Sequence, residues 1–225
     1  ALTLGAWCIS EKAGGVVMAH GGPFNGYALV VLRGKPTFMV RSGKQLATAT
    51  AKIKVTKKWI HLAGVLTEDK QMRLYVNGEL AAEAKAPGLI ESVPVQGLQV
   101  GADDGSAVGD YTTPFPFKGV VDEVRVYHRA LNEQEMEKLA DWGNEPKDKS
   151  LVLYSGFEKG KAIDDSGNKH SGKLSGVNIV RAKTGQAIHF SGRSTPGGGG
   201  PGVEHHWTQD IPILVRAMAK AGDTL

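Results

Sequence analysis

Short apolar runs, each closed by turn residues, recur along the first half of this chain and restrict it to folds built from many strands. Gly26-Tyr27-Ala28-Leu29-Val30-Val31-Leu32, Pro36-Thr37-Phe38-Met39-Val40, Trp59-Ile60-His61-Leu62-Ala63-Gly64-Val65 and Met72-Arg73-Leu74-Tyr75-Val76 are rich in β-branched and aromatic residues. Asn77-Gly78 lies between Leu74-Tyr75-Val76 and Glu79-Leu80. This is a strong hairpin signal, because both central residues of a type I′ turn need positive φ. Leu98-Gln99-Val100 and Val120-Val121-Asp122-Glu123-Val124-Arg125-Val126-Tyr127 continue the series. Many short strands at this spacing predict a sandwich or a barrel. Thirty glycines and ten prolines in 225 residues exclude a helical bundle.

One helix is well marked. Asn132 can cap it, Glu135 completes a capping box, and Leu131 with Met136 forms a hydrophobic staple. Its body is expected from Glu133 to about Asp141, with Gly143 suited to the C-terminal cap. Strand signals resume at Leu151-Val152-Leu153-Tyr154 and Gln186-Ala187-Ile188-His189-Phe190. The glycine- and proline-rich stretch 193–204 reads as a flexible linker.

Composition narrows the function. The 27 Lys+Arg and 23 Asp+Glu leave a formal net charge of +4, spread along the chain, so no nucleic-acid partner is implied. A single cysteine, Cys8, excludes an internal disulfide and a cysteine-based zinc site. No stretch approaches the ~18 apolar residues of a membrane span, and the longest run, 211–219, is interrupted by Arg216. The chain opens Ala1-Leu2-Thr3-Leu4 and stops at Leu225, and is read as a piece of a longer protein.

Three segments together resemble the laminin-G-like, concanavalin A-like lectin/glucanase jelly rolls. Trp59-Ile60-His61-Leu62-Ala63 resembles the "W-x-H-x-A" strand of that family, and Leu74-Tyr75-Val76-Asn77-Gly78 its "L-Y-V-[DN]-G" hairpin. Residues 117–131 resemble its closing "F-x-G-x-[IV]-D-E-V-R-[IV]-Y-x-R-A-L" strand and helix entry. The resemblance implies an all-β, antiparallel β-sandwich, a concanavalin A-like jelly roll with one short helix. The family's opening elements come last here, as Phe157-Glu158-Lys159-Gly160, Asp164-Asp165-Ser166-Gly167-Asn168 and Gly185-Gln186-Ala187-Ile188-His189-Phe190. Either 150–192 completes the same sandwich, making 1–192 one circularly permuted domain, or it begins a second one. A half sandwich would expose its inner face and an open edge, which favours the permuted domain. The tail 205–225 then starts a following domain; its Ala221-Gly222-Asp223-Thr224-Leu225 resembles part of a β-propeller blade.

Enzyme chemistry finds little support in these residues. A glycoside hydrolase needs two carboxylates flanking one bond. Asp122 and Glu123 are adjacent in a strand, so they are expected on opposite faces. The "E-x-D-x-x-E" pattern of laminarinase-type relatives is absent, as is any carboxylate pair at two-residue spacing in an expected strand. Residues 167–174 have P-loop glycine and lysine spacing, but Leu174 replaces the metal-binding hydroxyl. Cys8 reads as a buried, inert thiol, His61 and His189 as packed strand residues, and His205-His206 as a solvated pair.

The resemblance implies calcium, held in many relatives between the opening strand, the "D-x-S-G-N" loop and the closing strand. The matching residues are Asp122, Glu158, Asp165 and Asn168, with Glu158 standing where Asp is commoner. Carbohydrate is the implied ligand, and the loops 20–27 and 101–111 are the candidate contacts. They supply Phe24, Asn25 and Tyr27, and Asp103, Asp104, Asp110 and Tyr111. The expectation is a non-catalytic carbohydrate-recognition or adhesion module in a secreted, periplasmic or cell-surface multidomain protein, in contact with neighbouring domains. The alternatives are a structural or protein-interaction spacer and a glycan-acting enzyme.

Overall fold

In the computed structural model, residues 1–193 are described except 56, 91, 93 and 143–145, together with the backbone of 202–205. The strands of the first half are β1 (Leu2–Ser10), β2 (Gly15–Gly21), β3 (Asn25–Leu32), β4 (Lys35–Ser42), β5 (Gln45–Thr50), β6 (Ile60–Leu66), β7 (Gln71–Val76) and β8 (Glu79–Lys85). They are followed by β9 (Leu98–Val100), β10 (Lys118–Tyr127), α1 (Glu133–Leu139), β11 (Leu151–Ser155), β12 (Lys173–Ser175), β13 (Val177–Arg181), β14 (Gln186–Ser191) and β15 (Gly202–His205). The next domain expected after the linker falls outside the described residues.

These strands form an antiparallel sandwich of the jelly-roll type. One sheet runs β13-β14-β10-β1-β6-β7-β8, and the other β12-β15-β9-β2-β3-β4-β5. Along one edge β10 pairs with β1. Along its other edge it pairs with β14 through Lys118–Val121 and with β11 through Val124–Tyr127. Strands from 151–191 thus lie in the same sheet as strands from the first half. The β7–β8 hairpin turns at Asn77 and Gly78, with φ of 52° and 84°, as the type I′ reading requires.

The core between the sheets takes Leu4, Ala6 and Cys8 from β1 and Leu62 and Leu74 from β6 and β7. Tyr27, Leu29, Phe38 and Val40 meet them from the facing sheet. Each large apolar side chain buried there contributes roughly 1.5–3 kcal/mol. Two further clusters cover the outer faces. Ala63, Val65, Tyr75 and Tyr127 pack under Leu131, Met136 and Leu139 of the helical segment. Val16, Ala28, Val30 and Met39 pack under Val108, with Tyr111 and Phe115 against them. This second cover buries both faces of β3.

The helix has its expected start. The Asn132 side chain accepts from the Glu135 N–H, and the Glu135 carboxylate accepts from the Asn132 N–H. Arg129 anchors this entry by donating to both Glu135 oxygens (2.7 and 2.6 Å) and to Asp148 (2.6 Å). The helix ends earlier than the sequence indicated, at Leu139 with Ala140 as C-cap. Gly143 lies outside the described residues.

Candidate functional site

The β2–β3 hairpin places Phe24 at its tip. Gly21 has φ +95°, and a Cβ there would meet the Asn25 carbonyl at 2.3 Å, so only glycine closes the loop this tightly. The Gly22 N–H donates to the Asn25 carbonyl (3.0 Å), which leaves Phe24 59 % exposed. Around it lies a cleft of about 280 Å³, lined by residues 22–25, Ser92, Pro94, Val95, Gln96 and Ser106. Asn25 donates to the Ser92 hydroxyl (2.7 Å) and accepts from the Gly43 N–H (3.2 Å). With its amide nitrogen toward the Gly21 and Asp104 carbonyls, Gln96 accepts from the Ser106 N–H at 3.0 Å. Gln96 therefore ties both glycine-rich loops to one rim. Lys44 Nζ stands 5.2 Å from the centre of the Phe24 ring.

This cleft holds an exposed aromatic ring and an exposed aliphatic chain, Val95, beside amides and hydroxyls. Such a mixture suits a ligand with an apolar face and hydroxyl edges. Of the residues expected to bind, it brings together Phe24 and Asn25. Ser92, Val95, Gln96 and Ser106 were not singled out by sequence, where the one local signal is the Pro94 that bounds their loop.

Tyr27 is placed differently. It is fully buried in the core, and its hydroxyl meets His20 Nδ1 at 2.9 Å, out of reach of any rim ligand. Burial holds His20 down at about 4 and pushes the Tyr27 phenol up. Asp103 is also internal. Its Oδ2 accepts from the Tyr111 hydroxyl (2.5 Å) and the Val108 N–H (3.2 Å). Burial raises its carboxyl to about 6 against those two hydrogen bonds. Tyr111 stacks on Phe115 at 5.1 Å and helps cover the outer face of β3 and β4. Asp110 is exposed and pairs with Arg41 (3.0 Å), while the Asp104 N–H donates to Gln99. The 101–111 loop is thus a cover held by its own acid and tyrosine, and it reaches the cleft through Ser106.

The β10 carboxylates require a correction. Gly5 pairs with Arg125 and Trp7 with Asp122, so Glu123 and Val124 together oppose Ala6 in a β-bulge, with Glu123 at φ 55°. Val121 and Val124 both enter the core, and the two acids between them both lie off it. Strict alternation does not hold here. Both Glu123 oxygens are engaged, one by Arg125 Nη2 and one by the Tyr154 hydroxyl. Asp122 is only 1 % exposed and accepts from the Glu123 N–H (2.8 Å). Burial first, and then the charges of Glu123 and Glu158, lift its carboxyl to about 8. Sealed and engaged in this way, the two acids do not flank a substrate bond.

The four residues matched to a calcium site do not converge. Asp122 and Glu158 sense each other's charge, but Glu158 is drawn toward the Gln186 N–H (3.3 Å). Asp165 lines a separate cleft of about 340 Å³ with Arg125, Tyr154 and Ser166. Asn168 donates its amide to the Leu151 and Val152 carbonyls (2.9 and 3.1 Å) and so clasps its loop to β11. Among the described residues no three His, Cys, Asp or Glu side chains are gathered as a metal-binding group. The positive charge beside Glu123 is instead that of Arg125, which lies 4.2 Å over the Tyr154 ring. This donor set does not fit calcium.

Cys8 is buried, its thiol pushed up to about 12, which suits an inert core residue. His61 is buried against Trp7, and burial with the nearby Arg125 charge holds it down at about 3. His189 meets Glu11 at 3.1 Å. Of the His205-His206 pair, only the His205 backbone lies within the described residues.

Residues 1–137 match the laminin-G-type family model described as the concanavalin A-like lectin/glucanases superfamily. The chain belongs to that superfamily. Over 126 residues, 54 % of its length, this superfamily member is 28 % identical to mouse pentraxin-related protein PTX3. It spans only 33 % of that relative. The native heptameric SAP-like pentraxin of Limulus polyphemus superposes with a TM-score of 0.53 at 16 % identity, covering 67 % of this chain and 74 % of the other. The CBM40 of Ruminococcus gnavus IT-sialidase bound to α2,3-sialyllactose gives 0.51 at 18 % identity, covering 62 % and 82 %. At these identities the likeness is one of fold. No helix among the described residues is long and apolar enough to cross a membrane.

Proposed function

We infer that this domain is a non-catalytic binding module that takes carbohydrate in the rim cleft around Phe24. The observation that carries this reading is the exposed Phe24 ring, set beside Asn25, Ser92, Gln96 and Ser106 on a rim fixed by hydrogen bonds. A pyranose would lay its apolar face on the ring and its hydroxyls against the amides. The cleft is small and preformed, which suits one or two sugar units. The sialyllactose-bound CBM40 and the pentraxins, which share the fold, support a binding role over a catalytic one. The fold alone does not choose a ligand, because one scaffold hosts many sites. The same reading takes 1–192 as one permuted sandwich within a longer secreted, periplasmic or surface protein.

The test is calorimetric titration of the protein and of Phe24→Ala with a panel of neutral and acidic oligosaccharides. Loss of the stacking ring is expected to weaken binding at least tenfold, about 1.4 kcal/mol, with the melting temperature unchanged. Equal binding by Phe24→Ala would remove the cleft from consideration. No binding by either protein would favour a structural spacer.

A further inference from the structure

We propose that the free edge of β13 takes up an extended, acidic peptide segment of another protein, which adds a strand to the sheet. β13 is the last strand of its sheet and pairs on one side only, with β14. The turn between them fixes which of its groups are left over. The Ala182 N–H donates to the Gly185 carbonyl (3.2 Å), and the register then runs without a shift from Arg181 opposite Gln186 to Val177 opposite Phe190. Bonded residues alternate in an antiparallel pair. Val180 and Asn178 therefore bond to β14, while Val177, Ile179 and Arg181 turn their N–H and C=O groups outward. Among the described residues no other backbone group bonds to them there.

An apolar cleft adjoins this edge. Ile179 pairs with Ile188, a core residue, yet it is 41 % exposed, because the other sheet ends here in β12, only three residues long. Gly160 lies against it: a Cβ there would come 3.0 Å from Ile179 Cγ1. Gly160 also lines a cleft of about 350 Å³ with Ala162, Ile163, Gly172 and Leu174, and Ile163 is likewise 41 % exposed. A strand added to β13 sets every second side chain on the same side as Ile179, toward this cleft. The opposite edge of the sheet, β8, is guarded by Glu79, Glu83 and Lys85, whereas β13 carries one charge, Arg181, at its end.

Charge chooses the occupant. Lys159 and Lys161 flank Gly160, Arg181 follows Ile179 by two residues, and all three are exposed. Among the described residues none of the three forms an ion pair. Glu158, the exposed acid beside them, is drawn toward the Gln186 N–H (3.3 Å). A second copy pairing through the same edge would gather the cations of both chains on one seam, which opposes self-association. An acidic segment instead brings carboxylates to them. The outward N–H and C=O groups select a polypeptide, since only a peptide backbone repeats donor and acceptor at the strand spacing.

The edge does not depend on the Phe24 cleft, and its test separates the two. The full chain is titrated against labelled, end-blocked peptides, with binding followed by fluorescence anisotropy. The peptide Glu-Asp-Val-Thr-Val-Asp-Glu is expected to bind, and the same peptide with serine for both valines to bind at least about tenfold more weakly. Side chains on the Ile179 side belong to residues opposite the outward groups, so the valine N–H groups face β13 and the threonine N–H faces solvent. N-methylation of both valines is therefore expected to abolish binding, and N-methylation of the threonine to leave it within about twofold. Ile179→Asp is expected to weaken binding about tenfold. Lys161→Glu/Arg181→Glu should lose the acidic peptide and gain Lys-Lys-Val-Thr-Val-Lys-Lys. Phe24→Ala should bind the acidic peptide as the parent does. Absence of binding at millimolar peptide would overturn the proposal, as would equal binding of the serine peptide or equal sensitivity to the two methylations. Sedimentation showing a dimer of the free chain that Ile179→Asp converts to monomer would also overturn it, by giving the edge to a second copy.

Discussion

Asp103 lends itself to a sharp test, because its carboxylate organises the 101–111 loop while burial works against its charge. The folded carboxyl sits at about 6 against an ordinary 3.8. Between those values the folded protein binds more protons than the unfolded chain, so stability falls as pH rises through this window and is level above it. Two units at ~1.4 kcal/mol each give roughly 3 kcal/mol lost between about pH 4 and about pH 7. Asp103→Asn has no such titration. Its amide oxygen, standing where Oδ2 does, can still accept from both the Tyr111 hydroxyl and the Val108 N–H. The variant is therefore expected to be about as stable as the parent near pH 4 and more stable near pH 7, its relative stability gaining roughly 3 kcal/mol. Urea denaturation followed by tryptophan fluorescence at several pH values gives both curves. His20, His61 and Asp122 titrate in both proteins and cancel in the difference. A difference that stays constant with pH within about 1 kcal/mol, or one that grows against the variant, would refute the account of Asp103 as a carboxyl strained by burial.

Other consequences can be measured alongside. Gly119→Ala is expected to abolish a cooperative thermal transition in circular dichroism, since φ is +144° and the new Cβ would lie 1.9 Å from the Ile9 carbonyl oxygen. An unchanged melting temperature would contradict that backbone contact. Asn132→Ala should cost about 1 kcal/mol in urea denaturation through loss of the helix cap, with no effect on sugar binding. Asp122→Asn should leave stability below about pH 4 almost unchanged and raise it increasingly toward alkaline pH. The buried carboxyl, raised to about 8, makes the parent lose stability as pH climbs from the ordinary carboxylate range toward that value. A variant less stable than the parent at alkaline pH would show that the charged form of Asp122 is favoured by a partner, such as a cation.

What the sequence settled by itself is the local structure. Asn77-Gly78 demanded its hairpin because few other residues accept two successive positive φ values. Asn132 with Glu135 marked the helix start because those side chains satisfy the open N–H groups there. The motif around Phe117-Lys118-Gly119 carried the family because Gly119 lies against the Ile9 carbonyl, a contact that admits no side chain. These are short-range constraints, and short stretches of sequence record them. The tertiary structure decided the rest. Tyr27 looked like a rim residue and became core because its side of β3 faces the opposite sheet, while a loop some eighty positions later covers the other side. Asp122 and Glu123 escaped strand alternation because a bulge inserts one residue opposite Ala6, which the run of β-formers does not disclose. Phe24 and Ser106, some eighty positions apart, came to one rim because Gln96 bonds to both of their loops. Periodicity fixes which face of a strand is apolar, but pairing and cover decide which loops become neighbours and which side chains still reach water.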